Sequence, residues 1–125
     1  MRDNEISGEI VKSVFDIHNE IGPGLLESAY EKVLVYELRR KGLNTYFQVP
    51  IPIIIRGIAI EESYRADIIV EDLVIIELKS VELLHPVHFK QLLTYLRLSD
   101  IKLGLLINFN VAKVRDGIHR VVNNL

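Results

Sequence analysis

Two carboxylates and an amine stand in or beside apolar runs of the sequence: Asp67, Glu77 and Lys79. Side chains alternate between the two faces of a strand, so Glu77 and Lys79 point to the same side of a strand that is otherwise apolar. An aspartate beside such a run is disfavoured in a strand and costly to bury without a partner. Polar residues where the pattern requires apolar ones are the first candidates for chemistry.

Oxygen ligands are those that Mg²⁺ prefers, and this ion binds through one or two carboxylates together with waters and substrate phosphate. A cation held in this way lowers the pKa of a bound water and neutralises charge on a phosphate. Lys79 would position or help to deprotonate the attacking water, or stabilise the developing negative charge. The three residues therefore suit metal-assisted hydrolysis of a phosphodiester, with Mg²⁺ as the ion and Mn²⁺ as a substitute.

The loop between the two predicted strands decides whether Asp67 meets Glu77. A two-residue turn at Glu71-Asp72 would place Asp67 opposite Ile76 and leave Glu77 on the other face. A three-residue loop, or one bulge, would set Asp67 opposite Glu77, and the two carboxylates would then repel each other unless a cation lay between them. The sequence leaves both registers open. It also leaves open a simpler interpretation, in which the acids are unrelated and Glu77 forms a salt bridge with Lys79.

Two predicted helices carry further candidates. Glu27 borders the apolar stripe of its helix, although an acid in a first turn also complements the helix dipole. Gln91 and Tyr95 are one helical turn apart and lie beside the apolar stripe of a later helix. They could face a site, or they could form an ordinary polar flank.

The hydrophobic periodicity predicts an α/β protein whose elements follow the order ααβββαβ(β). Helices are expected over Ile6–Ile21, Leu25–Lys41 and Pro86–Ser99. Strands are expected over Tyr46–Ile55, Ile58–Val70, Leu73–Ser80 and Lys102–Phe109, with a last one in the tail Val114–Asn123. Pro50 and Pro52 remove two ladder donors, so the strand that contains them belongs at an edge or carries a bulge.

Composition narrows the class of protein. The chain has 125 residues, of which 49% are hydrophobic and 26% charged, so one globular domain over residues 1–125 is expected. The lack of cysteine excludes disulfide scaffolds, thiolate zinc sites and cysteine nucleophiles. A net charge of −2 gives no overall attraction to nucleic acid, so a polyanion would need a local basic patch or a bound cation. With no signal-like start and no long apolar run, a cytoplasmic protein without membrane contact is expected.

The motifs resemble those of the PD-(D/E)xK nuclease superfamily, and in particular its small GxxExxY branch. The branch motif corresponds to Gly24-Leu25-Leu26-Glu27-Ser28-Ala29-Tyr30, and the core motif to Asp67 followed by Glu77-Leu78-Lys79. Gln91-Leu92-Leu93-Thr94-Tyr95 is similar to the QxxxY element of recombination-type exonucleases in that superfamily. Ala66 stands where the superfamily usually has a proline. The resemblance spans about residues 7–122.

This resemblance implies a restriction-endonuclease-like core, with a mixed central sheet flanked by helices and a bound divalent ion. Lys79 would be the catalytic lysine, and Gln91 and Tyr95 would support the site or the substrate strand. The groups that the resemblance assigns to the metal or its water are the side chains of Asp67, Glu77 and Glu27 and the main-chain carbonyl of Leu78.

The leading hypothesis is a magnesium-dependent nuclease that hydrolyses DNA, with RNA left open as a substrate. The alternative is a catalytically silent module of the same fold that binds nucleic acid or a partner protein, which the near-neutral charge and small size favour. A purely structural protein that associates through Tyr46–Ile55 is a third hypothesis. The intact set of Asp67, Glu77 and Lys79 favours the enzyme. A homodimer is expected as well, because cutting both strands of a duplex usually needs two sites.

Overall fold

The computed structural model describes residues 2–61 and 64–125. The helices are α1 (Arg2–Ile21), α2 (Glu27–Arg40) and α3 (Pro86–Ser99), with a short 3₁₀ turn at Val114–Gly117. The strands are β1 (Thr45–Pro50), β2 (Ile53–Ile55), β3 (Ile58–Ile60), β4 (Arg65–Val70), β5 (Val74–Lys79), β6 (Leu103–Asn108) and β7 (Ile118–Val122). The predicted α/β class is confirmed, and each predicted helix is present.

Five strands form a mixed sheet in the order β1-β4-β5-β6-β7. Neighbouring strands run antiparallel except β5 and β6, which are parallel and are joined by α3. Such a crossover needs an intervening helix, and Pro86 supplies its first residue, where the missing N–H costs nothing. The predicted mixed sheet flanked by helices is therefore correct.

The helices cover the two faces of this sheet. The apolar stripes of α1 and α2 pack against one face, where Ile68, Ile76 and Leu78 are buried. Helix α3 packs against the other face, where Ile69, Ile75 and Leu106 are buried. A Cβ atom on Gly104 of β6 would lie 3.0 Å from the side chain of Leu92 on α3, so α3 approaches the sheet closely at this glycine.

Two of the predicted strands are wrong in extent. The stretch Tyr46–Ile55 divides into β1 and β2, because Pro50 and Pro52 cannot donate ladder hydrogen bonds and the chain leaves the main sheet between them. The stretch Ile58–Val70 likewise divides into β3 and β4, and residues 62 and 63 within it lie outside the described residues. The prediction that the proline-containing strand lies at an edge is confirmed, since β1 is outermost.

Strands β2 and β3 pair only with each other in a small antiparallel sheet. Isoleucines dominate both strands, and the side chains of Ile54, Ile55, Ile58 and Ile60 are exposed. An isolated two-stranded hairpin is marginally stable in water. This hairpin therefore presents an apolar surface that the rest of the described chain leaves open.

Candidate active site

The loop between β4 and β5 settles the register that the sequence left open. Val70 pairs with Val74 and Ile68 with Ile76, so three residues lie in the loop. Two of them, Glu71 and Asp72, have φ of 53°, in the left-handed region. The same register, continued beyond the paired residues, sets Asp67 opposite Glu77. The arrangement is thus the second of the two alternatives, in which the carboxylates meet.

Each of these two acids accepts a hydrogen bond from the backbone of the other strand. The N–H of Asp67 donates to Oε2 of Glu77 at 2.7 Å, and the N–H of Leu78 donates to Oδ2 of Asp67 at 2.8 Å. Side-chain oxygens have taken the place of backbone ladder bonds here, just beyond the last paired residues of β4 and β5. The exchange fixes one oxygen of each carboxylate and leaves Oε1 of Glu77 without a hydrogen bond from the described residues.

Burial and mutual repulsion disfavour two negative charges at this point. Burial, and after it the neighbouring charge of Asp67, raise the pKa of Glu77 to about 8, while the N–H of Asp67 and the charge of Lys79 oppose the shift. Burial also raises the pKa of Asp67, against the hydrogen bond from Leu78. Glu77 is only 5% exposed. The two carboxylates, with Glu77 buried and Asp67 half-buried, are stabilised in their charged forms by a cation placed between them.

Lys79 ends β5 and lies on the same face of the strand as Glu77, by alternation. Its charge lowers the pKa of both Asp67 and Glu77, so its ammonium lies close enough to act on them. The salt bridge considered from the sequence is not formed, because no ion pair within 4.0 Å joins Lys79 to an acid of the described residues. The Lys79 amine therefore lies near the two carboxylates and forms an ion pair with neither of them.

The segment around Lys79 is held by the end of β6. The carbonyl of Lys79 accepts the N–H of Phe109 at 3.0 Å. Asn108, which is buried, uses its side-chain amide to bind both the N–H and the carbonyl of Val81. Sequence reasoning missed Asn108, although a polar residue near the end of an otherwise apolar buried strand is a usable signal.

The carbonyl of Leu78 faces the same side as its N–H. In an extended strand both groups of one residue point to the same neighbouring strand. Since the N–H of Leu78 reaches the carboxylate of Asp67, its carbonyl is directed to the β4 side, where the β4–β5 ladder has already ended. A third oxygen is thus directed to the side of β5 on which the Asp67 carboxylate lies.

Glu31 and Gln48 adjoin the carboxylates although sequence reasoning did not select them. The side-chain amide of Gln48 donates to Glu31 at 3.0 Å and lies 3.4 Å from Oδ1 of Asp67. The charge of Glu31 raises the pKa of Asp67 and of Glu77. Nothing in the periodicity of α2 or β1 marks these two residues, because their approach depends on how the helix lies over the edge strand.

Glu27 occupies a different part of the site. It is the first residue of α2 and is exposed, in the position where an acid complements the helix dipole. Its charge acts on His88 rather than on the carboxylate pair: burial, Lys79 and His85 lower the pKa of His88, and Glu27 raises it. The structure therefore brings Glu27, one helical turn before Glu31 on α2, toward His88.

The loop before Glu27 is fixed by Tyr30. Its hydroxyl donates to the carbonyl of Gly22 at 2.6 Å and accepts the N–H of Leu25 at 3.2 Å. The Tyr30 ring stacks on Phe109 with centroids 4.1 Å apart. The carbonyl of Leu25 accepts the hydroxyl of Ser80 at 2.7 Å, so this loop is bonded to the segment that follows Lys79. The tyrosine of the GxxExxY pattern thus positions the start of α2 and packs in the core.

Helix α3 supplies the remaining wall. Burial raises the pKa of Tyr95, and the charges of Glu77 and Asp67 raise it further, so the phenol is close to both acids and stays protonated. Gln91 lies one turn earlier and is half-buried, and its amide makes no hydrogen bond with the described residues. His88 begins the same stripe, and its Nδ1 accepts the N–H of His85 at 3.1 Å.

The oxygen groups present fit a hard divalent cation. Two facing carboxylates and a main-chain carbonyl are a donor set for Mg²⁺ or Mn²⁺, with water and substrate completing the coordination. Within residues 2–61 and 64–125, no group of three or more His, Cys, Asp or Glu side chains is arranged to hold a metal ion. A cation here would therefore bind through the carboxylate pair of Asp67 and Glu77.

Comparison with known proteins places the chain in a family. A family model described as the PD-(D/E)XK nuclease superfamily matches residues 4–121. The search of curated proteins and the search of solved structures give no match. In the described parts of the chain, none of the helices has the length and apolar character needed to cross a bilayer. The α/β fold is consistent with a restriction-endonuclease-like core, and members of the superfamily typically use divalent metals. By its fold and by the extent of the family match, the chain belongs to the PD-(D/E)XK nuclease superfamily.

Proposed function

We propose that this chain is a magnesium-dependent nuclease that hydrolyses phosphodiester bonds in DNA. The supporting observation is the meeting of two carboxylates, that of buried Glu77 and that of half-buried Asp67, which adjacent strands bring together although burial and repulsion disfavour their charged forms. A divalent cation removes that conflict. Lys79 lies near the pair without an ion pair to either acid.

In this proposal each group of the chain has a separate part. Asp67, Glu77 and the carbonyl of Leu78 hold the cation, which supplies charge neutralisation at the phosphate and acidifies a bound water. Lys79 orients the attacking water and stabilises negative charge that develops on the phosphate. Tyr95 is a protonated hydroxyl beside the carboxylates and is available to donate a hydrogen bond to the substrate strand, with Gln91 next to it. His88 lies near both Lys79 and Glu27, whose charges act on it.

Cleavage of labelled oligonucleotides tests the proposal. Wild type is incubated with single-stranded and duplex DNA, and with RNA, in Mg²⁺, in Mn²⁺ and in EDTA. We expect divalent-dependent cleavage of DNA that Asp67→Asn abolishes, because the amide cannot supply a charged ligand. Asp72→Asn is the matched control, since Asp72 is an exposed aspartate in the adjacent loop. Cleavage that survives Asp67→Asn would contradict the proposal.

The silent module remains the competing function. It predicts that wild type binds nucleic acid or a partner protein and never cuts, with Asp67→Asn leaving binding unchanged. Metal-dependent cleavage by wild type rules it out.

We also propose that two copies of the chain associate through β2 and β3. The exposed isoleucines of this hairpin support the proposal, because a contiguous exposed apolar surface marks an association site.

A further inference from the structure

A groove of about 670 Å³ runs between α2 and β1. Its size lies in the range of ligand-binding clefts, roughly 300–1,000 Å³. The lining residues that matter for binding are Glu31, Lys32, Tyr36, Arg39, Phe47 and Gln48. Three of these carry cations or amides and two carry aromatic rings, a combination found in sites that bind nucleic-acid strands.

The aromatic rings in the groove are open to solvent. Tyr36 is 66% exposed and Phe47 is 53% exposed. The guanidinium of Arg39 lies over the Phe47 ring, 5.6 Å from its centroid, and it is held there by two hydrogen bonds to the carbonyl of Thr45. Exposed rings and a fixed guanidinium plane are surfaces on which unpaired bases stack.

Positive charge accompanies the rings in a chain whose net charge is −2. Lys32 makes no ion pair with any described residue, so its ammonium is available to a phosphate. Arg40 also lines the groove but is paired with Glu37 at 3.0 Å. Glu31 is the opposing charge, and it lies at the end of the groove where Gln48 binds it.

Gln48 and Glu31 connect this groove to the carboxylate pair. Gln48 lines it and also lies 3.4 Å from Oδ1 of Asp67. Gln48 has φ of 50°, which is uncommon for a residue other than glycine, and the β1–β4 pairing skips it between Phe47 and Val49. The irregular backbone turns the glutamine side chain toward Asp67 and Glu31. A strand with its phosphate at the carboxylates would therefore reach the groove by passing Gln48.

We propose that the groove between α2 and β1 binds the single-stranded segment of nucleic acid next to the phosphate that is cut. This inference rests on the proposed nuclease function and specifies its substrate. A duplex keeps its bases stacked and presents phosphates, which the aromatic rings cannot use. A single strand offers both bases for Tyr36 and Phe47 and a phosphate for Lys32.

Fluorescence anisotropy with labelled oligonucleotides tests the groove separately from catalysis. The Asp67→Asn/Glu77→Gln chain is the background, because neutral amides prevent cleavage and remove repulsion of phosphate. We expect a single strand to bind more tightly than a duplex of equal length. Adding Tyr36→Ala should weaken single-strand binding about tenfold, in line with the loss of one stacked base. Tyr46→Ala is the matched control, since Tyr46 is 55% exposed on β1 but lies outside the groove.

Salt dependence gives an independent measurement for Lys32. Loss of one phosphate contact to a single strand should reduce the slope of log K against log salt by about 0.7 in Lys32→Ala. Lys12→Ala, an exposed lysine on α1, should leave the slope unchanged. Anisotropy measured with DNA and with RNA oligonucleotides of the same sequence shows which of the two nucleic acids the groove binds more tightly.

The binding and cleavage assays fail in distinguishable ways. If wild type cuts nothing but the groove variants weaken single-strand binding, the groove proposal stands and the nuclease proposal falls. If Tyr36→Ala and Lys32→Ala bind single strands of DNA and RNA as tightly as their background does, the groove proposal is overturned. Equal binding of duplex and single strand would also overturn it.

Discussion

Glu77 is an acid that the metal-free fold stabilises in its protonated form. Burial and the charge of Asp67 raise its pKa to about 8 from an ordinary value of 4.5. The folded state therefore binds a proton more tightly than the unfolded state does. The resulting stabilisation is complete below pH 4.5 and is lost as the pH rises toward 8.

We therefore predict that metal-free protein loses stability between about pH 5 and pH 8.5. A pKa raised from 4.5 to about 8 corresponds to a loss on the order of 5 kcal/mol in the free energy of unfolding, since one pKa unit is about 1.4 kcal/mol. Urea unfolding in EDTA across this pH range measures the loss. Glu77→Gln should flatten the dependence, because the amide resembles the protonated acid.

Glu82→Gln is the control for this measurement, since Glu82 is exposed in the segment after β5. A divalent cation should oppose the loss by replacing the proton, so its stabilising effect should grow with pH. If the stability of Glu77→Gln depends on pH as that of wild type does, the carboxylate pair of Asp67 and Glu77 is not the source of this dependence.

Lys79 is predicted to act on the reaction rather than on metal binding. Lys79→Met should lower the single-turnover cleavage rate by about 10²-fold or more, the usual effect of removing a group that handles a proton or charge. Binding of Mn²⁺, measured by calorimetry, should change only a few-fold. Lys90→Met, an exposed lysine on α3, is the control. Loss of Mn²⁺ binding in Lys79→Met would contradict this separation of roles.

At the level of elements, Tyr30 connects the start of α2 to the core. Tyr30→Phe keeps the stacking on Phe109 but removes the hydroxyl that binds Gly22 and Leu25. We predict a loss of about 1–2 kcal/mol in the free energy of unfolding, because two backbone groups lose a partner. Tyr36→Phe, on the exposed side of the same helix, should change it by less than about 0.5 kcal/mol. Equal stability of the two variants in urea would refute this role.

The β2–β3 hairpin is the element predicted to join two copies. Ile55 pairs with Ile58, and both side chains are exposed. Ile55→Lys/Ile58→Glu keeps a favourable cross-strand pair while removing apolar surface. Sedimentation velocity should give a dimer for wild type and a monomer for this variant. Leu83→Lys is the control, because it changes another exposed apolar residue, and this variant should still be a dimer. A wild type that stays monomeric at high micromolar concentration would exclude the dimer.

Across the whole molecule, alternation made part of the site predictable from the sequence. The pleat of a strand fixes which residues share a face, so Glu77 and Lys79 could be placed together without a structure. The register of Asp67 could not be predicted, because Leu73 continues the apolar pattern of β5 although it belongs to the loop. The left-handed backbone at Glu71 and Asp72 lengthens that loop.

Other features depend on contacts that the pattern does not encode. The prolines marked β1 as an edge strand, but whether β2 pairs with β4 or with β3 is decided by tertiary packing. Gln48 lies opposite Asp67 in the β1–β4 register and also reaches Glu31, contacts that depend on how β1 pairs with β4 and how α2 packs over β1. For the same reason Glu27 could be selected by its motif while its neighbour Glu31 could not.

Crystals soaked in Mn²⁺ give the most direct test of a cation between Asp67 and Glu77. Anomalous scattering locates manganese independently of any assumed chemistry. We predict one strong peak bound by oxygens of both carboxylates and by the carbonyl of Leu78, and no such peak in crystals of Glu77→Gln. Manganese bound elsewhere, or a Glu77 carboxylate turned to pair with Lys79, would contradict the account.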